Sequence, residues 1–332
     1  MEEEIKSLEE RVINVIRDYV NEHDSLVPLN VQLFGNLADG ICDILSPIMD
    51  FKTGEEYKEF PLYSVFERIE FLKRFYKSIN INIDLDDLIS KGIIDFVKDD
   101  YVNESIYGKQ IPRRYGHSYR KNGTKLVDVI NTGYFQDTII AVHEIGHHMD
   151  EVINYERWLF NSLITEGLAE TWSLIYKDFY KNEHRDEINY LNINRLRYFY
   201  EEAKYVRDTI PFLFVYTKYS TIDKEKFEKE FEGINYEEAL VRLKKYNPDW
   251  FDSKVEYMFS SVLSCYLFYK YKENEKFLQK IIDLHKPIDF KEMEKAIKSI
   301  GLDSSFESAG NALLESLKRY TDELINERER RM

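Results

Sequence analysis

The run His143-Glu144-Ile145-Gly146-His147 sets two imidazoles four residues apart with a carboxylate between them. On a helix, residues at that interval lie one above the other, so both rings can grip one ion while Glu144 leans to the same side without reaching it. Further along, Thr165-Glu166-Gly167-Leu168-Ala169-Glu170 adds carboxylates on a second apolar-periodic stretch. Two nitrogens, one carboxylate oxygen and one free carboxylate are the inventory of a catalytic zinc site, which keeps a position open for water. The plain alternative is an amphipathic helix with two histidines on its surface.

The elements that must position these groups can be read around them. Ile139, Val142, Ile145 and Met149 line the opposite side of the His143 turn, as a helix half-buried in a core requires, and Asp137 stands where an N-cap would accept unpaired backbone N–H groups. Trp158, Leu159, Leu163, Ile164, Leu168, Trp172 and Ile175 recur at helical spacing around Glu166. A carboxylate buried there needs a partner, and a divalent cation is the best available. Gly167 costs about 1 kcal/mol against alanine in a plain helix, which predicts close approach of a facing helix. Glu166 and Glu170 share a face. We read Glu166 as the third ligand of one Zn2+ per chain, with His143 and His147, and Glu170 as the acceptor that fixes one imidazole ring. Glu144 then serves as general base in the hydrolysis of a peptide amide.

Residues 115–121, the pair Asn122-Gly123 and residues 124–131 read as a β-hairpin with a type I′ turn, leading straight into the His143 helix. An edge strand in that position would hold an extended peptide by backbone hydrogen bonds. His117, within the hairpin, reads as structural. His148 points about 100° away from His147 and is not a ligand. His23, His184 and His285 have no partner visible in the sequence.

This pattern resembles the gluzincin metallopeptidases, the group that includes thermolysin. Glu166-Gly167-Leu168-Ala169 is similar to a stretch of the aminopeptidase branch. The surroundings are most similar to the oligoendopeptidase F and thimet oligopeptidase family: Asp137-Thr138 leading to His143–His148, Tyr257 in Tyr257-Met258-Phe259-Ser260, and Gly301-Leu302-Asp303 followed by Phe306 and Gly310. The likeness covers roughly the last two thirds of the chain; its metal motif is specific and its tail is not. It implies a mainly α fold with a thermolysin-like zincin core, a small β-hairpin or sheet beside the metal helix, and Tyr257 as donor to the oxyanion, with Tyr266 and Tyr269 as substitutes. Family spacing also makes Glu170, which begins Glu170-Thr171-Trp172-Ser173, the alternative third ligand. The chain departs from the family in its shorter length and shorter gap before Glu166.

Composition sets the outer bounds. A chain of 332 residues at 43% hydrophobic can bury one large core or two lobes around a cleft. The sequence predicts a helical region over 1–100, with helices over 64–78 and 85–91 clearest, and a catalytic region over 101–332 with a helical end, or one continuous domain. The formal net charge of −15 argues against nucleic acid as a partner. No apolar run of about eighteen residues appears and the start Met1-Glu2-Glu3-Glu4 lacks signal-peptide character, so a soluble cytoplasmic protein without membrane contact is expected. Cys42 and Cys265 read as reduced core thiols, and Arg328, Arg330 and Arg331 as a helix end. The competing functions are hydrolysis of a non-peptide substrate at the same site and a catalytically silent zinc-binding helical protein. The intact Glu144 speaks against the second.

Overall fold

The computed structural model describes residues 2–23, 27–51, 60–97, 102–103, 111–112, 116–121, 124–149, 159–243, 251–286, 290–302 and 309–330. Local chemistry explains several boundaries. Ser64 and Glu67 form a reciprocal capping box that starts α3 (Val65–Ser78). Asp84 accepts the Asp87 N–H at 2.9 Å to start α4 (Leu85–Ser90), which stops ahead of Gly92. Beyond it the β-branched run enters β1 (Ile94–Val97), a strand inside the region read from sequence as helical. The isolated run is too short for periodicity to separate strand from helix.

β1 pairs in parallel with β5 (Thr124–Ile130), and β5 pairs antiparallel with β4 (Gly116–Lys121), giving the order β1-β5-β4. The expected hairpin strands are therefore present, with Lys121 opposite Thr124, and β4 is the edge. β2 (Val102–Asn103) and β3 (Ile111–Pro112) form a separate antiparallel pair. Asn122-Gly123, Tyr115, Trp158, Asp303, Phe306 and Arg331 fall outside the described residues.

The rest is helical. The metal-motif helix α5 (Gln136–Met149) buries Ala141, Val142 and Ile145 and packs on the sheet, where Val127 and Val129 are also buried. Its other flank meets α6 (Leu159–Tyr180). The two helices come closest at Gly146, where an added methyl would lie 3.0 Å from Trp172 and 3.1 Å from the Ala169 backbone. α6 in turn packs on α10 (Phe251–Glu273). Gly167 marks that approach, because a methyl there would lie 2.6 Å from Leu263 on α10. The predicted close approach is thus real, with α10 as the facing helix.

A long helix, α7 (Arg185–Tyr219), crosses α10 and packs along α2 (Val27–Met49). Helix α13 (Gly310–Glu329) lies against α2 and α10. One buried apolar cluster runs from the N-terminal helix α1 (Glu2–His23) through the sheet, α5, α6, α7 and α10 to α13. Both cysteines are unpaired and buried, and burial first of all pushes both thiols up, Cys42 to about 11. No described helix is long and apolar enough to cross a membrane.

Candidate metal centre

α5 and α6 bring three sequence-predicted ligands together. His143 Nε2 lies 3.2 Å from His147 Nε2 and 3.3 Å from Glu166 Oε1, and His147 Nε2 lies 3.2 Å from Glu166 Oε2. Donors at about 2.0–2.1 Å around a tetrahedral ion stand about 3.3–3.4 Å apart, and the separations here, taken to the two different oxygens of Glu166, are of that order, with one ligand atom from each residue lying within 4.8 Å of the others. Glu166 Oε1 is buried without a hydrogen-bond partner, an arrangement that costs about 1–3 kcal/mol and that a cation would relieve. Burial alone would raise the Glu166 carboxyl, but the imidazoles of His143 and His147 hold it well below its ordinary range. Among the described residues, these three form the one group of histidine, cysteine and carboxylate donors that converges in this way. His148 is not part of it.

Glu170 takes a different place. Its Oε2 accepts from Arg195 on α7 at 2.7 Å (Nη2) and 3.2 Å (Nε), and its Oε1 lies 3.8 Å from Lys177 Nζ. The same Oε2 is 3.7 Å from His143 Nδ1, the ring nitrogen turned away from the donor triangle. Burial works to raise this carboxyl too, yet Arg195 and then Lys177 hold it low. The Glu170 carboxylate is thus engaged by two cations and stands behind His143, 3.7 Å from Nδ1 and so beyond hydrogen-bond length, while the converging donor group contains Glu166.

Glu144 sits where α5 meets the edge strand. A methyl group at Gly116 on β4 would lie 2.5 Å from Ile140 Cγ2, 2.9 Å from Glu144 Cγ and 3.0 Å from its Oε1. The strand backbone and the Glu144 side chain therefore approach with no room for another side chain between them. On the other side, the half-buried Tyr257 of α10 has its phenol pushed up, first by Glu166, then by burial, with Glu144 also contributing. Its ring packs edge-on to Tyr198 of α7 at 5.5 Å and lies 5.7 Å from the Arg195 guanidinium.

Tyr266 and Tyr269 do not belong to this group. Tyr266 donates to Ile300 O at 2.9 Å, and the Tyr269 ring carries the Arg319 guanidinium at 4.0 Å. Nine and twelve residues, about two and a half and about three and a third turns, separate them from Tyr257 along α10, and of the two Tyr269 reaches α13, through Arg319.

Asp137 departs from its expected role. It lies inside the first turn of α5 and reaches back, accepting from Thr132 N and Gly133 N at 2.9 Å and from Thr132 Oγ1 at 2.5 Å, and pairing with the buried Arg68. The backbone N–H groups of Phe135 and Gln136 go instead to Glu187 of α7, whose carboxyl burial pushes up to about 7. The unassigned His184 stacks on Phe135 with centroids 3.9 Å apart, and His285 accepts from Trp172 Nε1 at 2.9 Å. Arg195, Lys177, Glu187 and Gly116 were not singled out from sequence. The available signal for Arg195 was a charge within the apolar periodicity of Ile193, Leu196 and Phe199, all buried. No protein-family model, no curated protein and no solved structure matches this chain.

Proposed function

We propose that the protein is a zinc-dependent metallopeptidase of gluzincin type that hydrolyses short, unstructured peptides. The observation that carries the reading is the triangle of His143, His147 and Glu166 with the Glu144 carboxylate set between it and the edge strand β4. A histidine pair meant only to hold a metal would need no free carboxylate packed beside it.

His143, His147 and Glu166 would hold the ion, which when bound supplies an acidified water and polarises the amide carbonyl. Glu144 accepts the proton of the attacking water and returns it to the leaving amine nitrogen. Tyr257, an ordinary phenol donor that burial helps to keep protonated, can donate to the carbonyl oxygen as charge grows there. Among the described residues β4 is an edge strand, and such an edge would offer backbone groups to an extended chain, which favours substrates whose own backbone is unpaired. The sizes of the donor triangle and the mainly helical frame support the resemblance to the thermolysin-like zincins, and the reading places Glu166 as ligand and Glu170 behind it.

The test is elemental analysis of the purified protein followed by mass spectrometry of a peptide mixture incubated with wild type and with Glu144→Gln. One zinc per chain is expected, with hydrolysis at least about 100-fold slower in the variant while zinc stays bound. Near-normal turnover by Glu144→Gln, or full zinc occupancy in a His143→Ala, His147→Ala double variant, would refute the reading. Zinc uptake with no new peptide fragments would turn the search to non-peptide electrophiles.

A further inference from the structure

We propose that Arg195 is a positioning residue of the metal site, acting through Glu170 on the orientation of the His143 ring. The inference rests on the zinc reading above. Its basis is that the two cations next to Glu170 divide the carboxylate between them. Lys177 approaches Oε1, at 3.8 Å, whereas Arg195 engages Oε2 with two nitrogens at 2.7 and 3.2 Å. Oε2 is the oxygen that faces His143 Nδ1. Among the described residues, Arg195 is thus the cation hydrogen-bonded to the oxygen that lies nearer the His143 ring.

The guanidinium is itself held in place. Its carbon lies 4.5 Å from the centre of the Phe199 ring, 5.3 Å from Tyr198 and 5.7 Å from Tyr257, so three aromatic faces limit its rotation. The other side chains lining the small space behind Glu170 include Ser264, Cys265, Asn192 and Tyr320, none of them a cation. If Arg195 were removed, Lys177 would be the positive group left on that lining, and the carboxylate would be drawn toward it and away from His143. A fork of two donors on one oxygen cannot be reproduced by an ammonium group, so lysine is a poor substitute at this position.

A double-mutant cycle on metal affinity tests this. The zinc dissociation constant is measured by competition with a chelating indicator in wild type, Arg195→Gln, Glu170→Gln and the double variant. Each single change is expected to weaken zinc binding roughly 10–100-fold, and the double variant to bind no more weakly than the weaker single, because both act on the same ring. Arg195→Lys should fall between wild type and Arg195→Gln, and it replaces the latter in the cycle if that variant does not fold. Unchanged affinity in the Arg195 variants, or effects that multiply in the double variant as independent structural damage would, overturns the proposal. A wild type that takes up no zinc overturns the metal reading itself, an outcome distinct from a zinc-binding wild type whose affinity ignores Arg195.

Discussion

α5 and α6 carry the candidate metal donors, while α7 carries groups that pack behind them, and the two regions differ in how far apart in the chain their partners lie. His143 and His147 meet because four residues make about one helical turn, so their partnership is settled within α5 itself. On α7, Glu187, Arg195, Tyr198 and Glu202 run along one flank and reach the start of α5, Glu170, Tyr257 and Lys254 respectively. Each of those meetings depends on how a 35-residue helix crosses three others. The donors are thus specified by local geometry and their supports by tertiary approach. Supports of this kind can change partners without leaving any trace in a short motif.

The sharpest way to break the contrast is to exchange the roles of the two glutamates on α6. Glu166→Gln removes a donor of the triangle and should abolish zinc binding or activity outright, while Glu170→Gln should leave a weakened but occupied site. Titration of both variants with zinc, read by elemental analysis after dialysis, checks the ranking. If Glu170→Gln loses the metal and Glu166→Gln keeps it, the donor triangle has been assigned to the wrong carboxylate.

What could be read from the sequence follows the same division. Period and capping residues marked α3, α4, α5 and α6, and a two-residue turn between alternating strands marked β4 and β5. β1 escaped because a four-residue strand has too few repeats to show a period, and its partner is β5, beyond the region assigned to helices. Asp137 was misread because a carboxylate beside a helix start satisfies the same pattern whether it caps the helix or braces the preceding loop. Only the positions of Thr132, Gly133 and Arg68 distinguish the two. Tyr266 and Tyr269 share α10 with Tyr257, but their partners are Ile300 and Arg319 and not the candidate donor group, so a common segment does not mean a common site.

A second test strikes the seam between the sheet and the donor helix. Gly116→Ala would place a methyl group within 3 Å of Glu144 Cγ and Ile140 Cγ2. Either the base or the strand must shift, at about 1–3 kcal/mol of stability. A displacement of the order of 1 Å at a catalytic group costs about 100-fold in rate. Peptide hydrolysis should therefore fall about 10–100-fold with zinc still bound, because the atoms nearest the added methyl belong to Ile140 and Glu144 and not to His143, His147 or Glu166. Wild-type turnover in this variant would show that the contact between β4 and Glu144 has no part in the chemistry.

The smallest expected effect lies at the far end of α7 and concerns stability rather than rate. Glu187 accepts backbone N–H groups at the start of α5, yet burial outweighs them and its carboxyl is pushed up from 4.5 to about 7. A carboxyl raised in the folded state binds more protons folded than unfolded, so its contribution is complete below about pH 4.5 and is lost as pH rises through about 7. Glutamine imitates the protonated form at every pH. Glu187→Gln should accordingly match wild type near pH 4.5 and be the more stable protein at pH 8, by at least on the order of 1 kcal/mol for so buried a carboxyl. Urea denaturation of both proteins across this range measures the difference. The opposite sign at pH 8 would mean that the carboxylate's hydrogen bonds and the positive end of the α5 dipole outweigh burial. α7 would then hold the metal helix by charge, as Arg195 holds Glu170, rather than by a neutral cap.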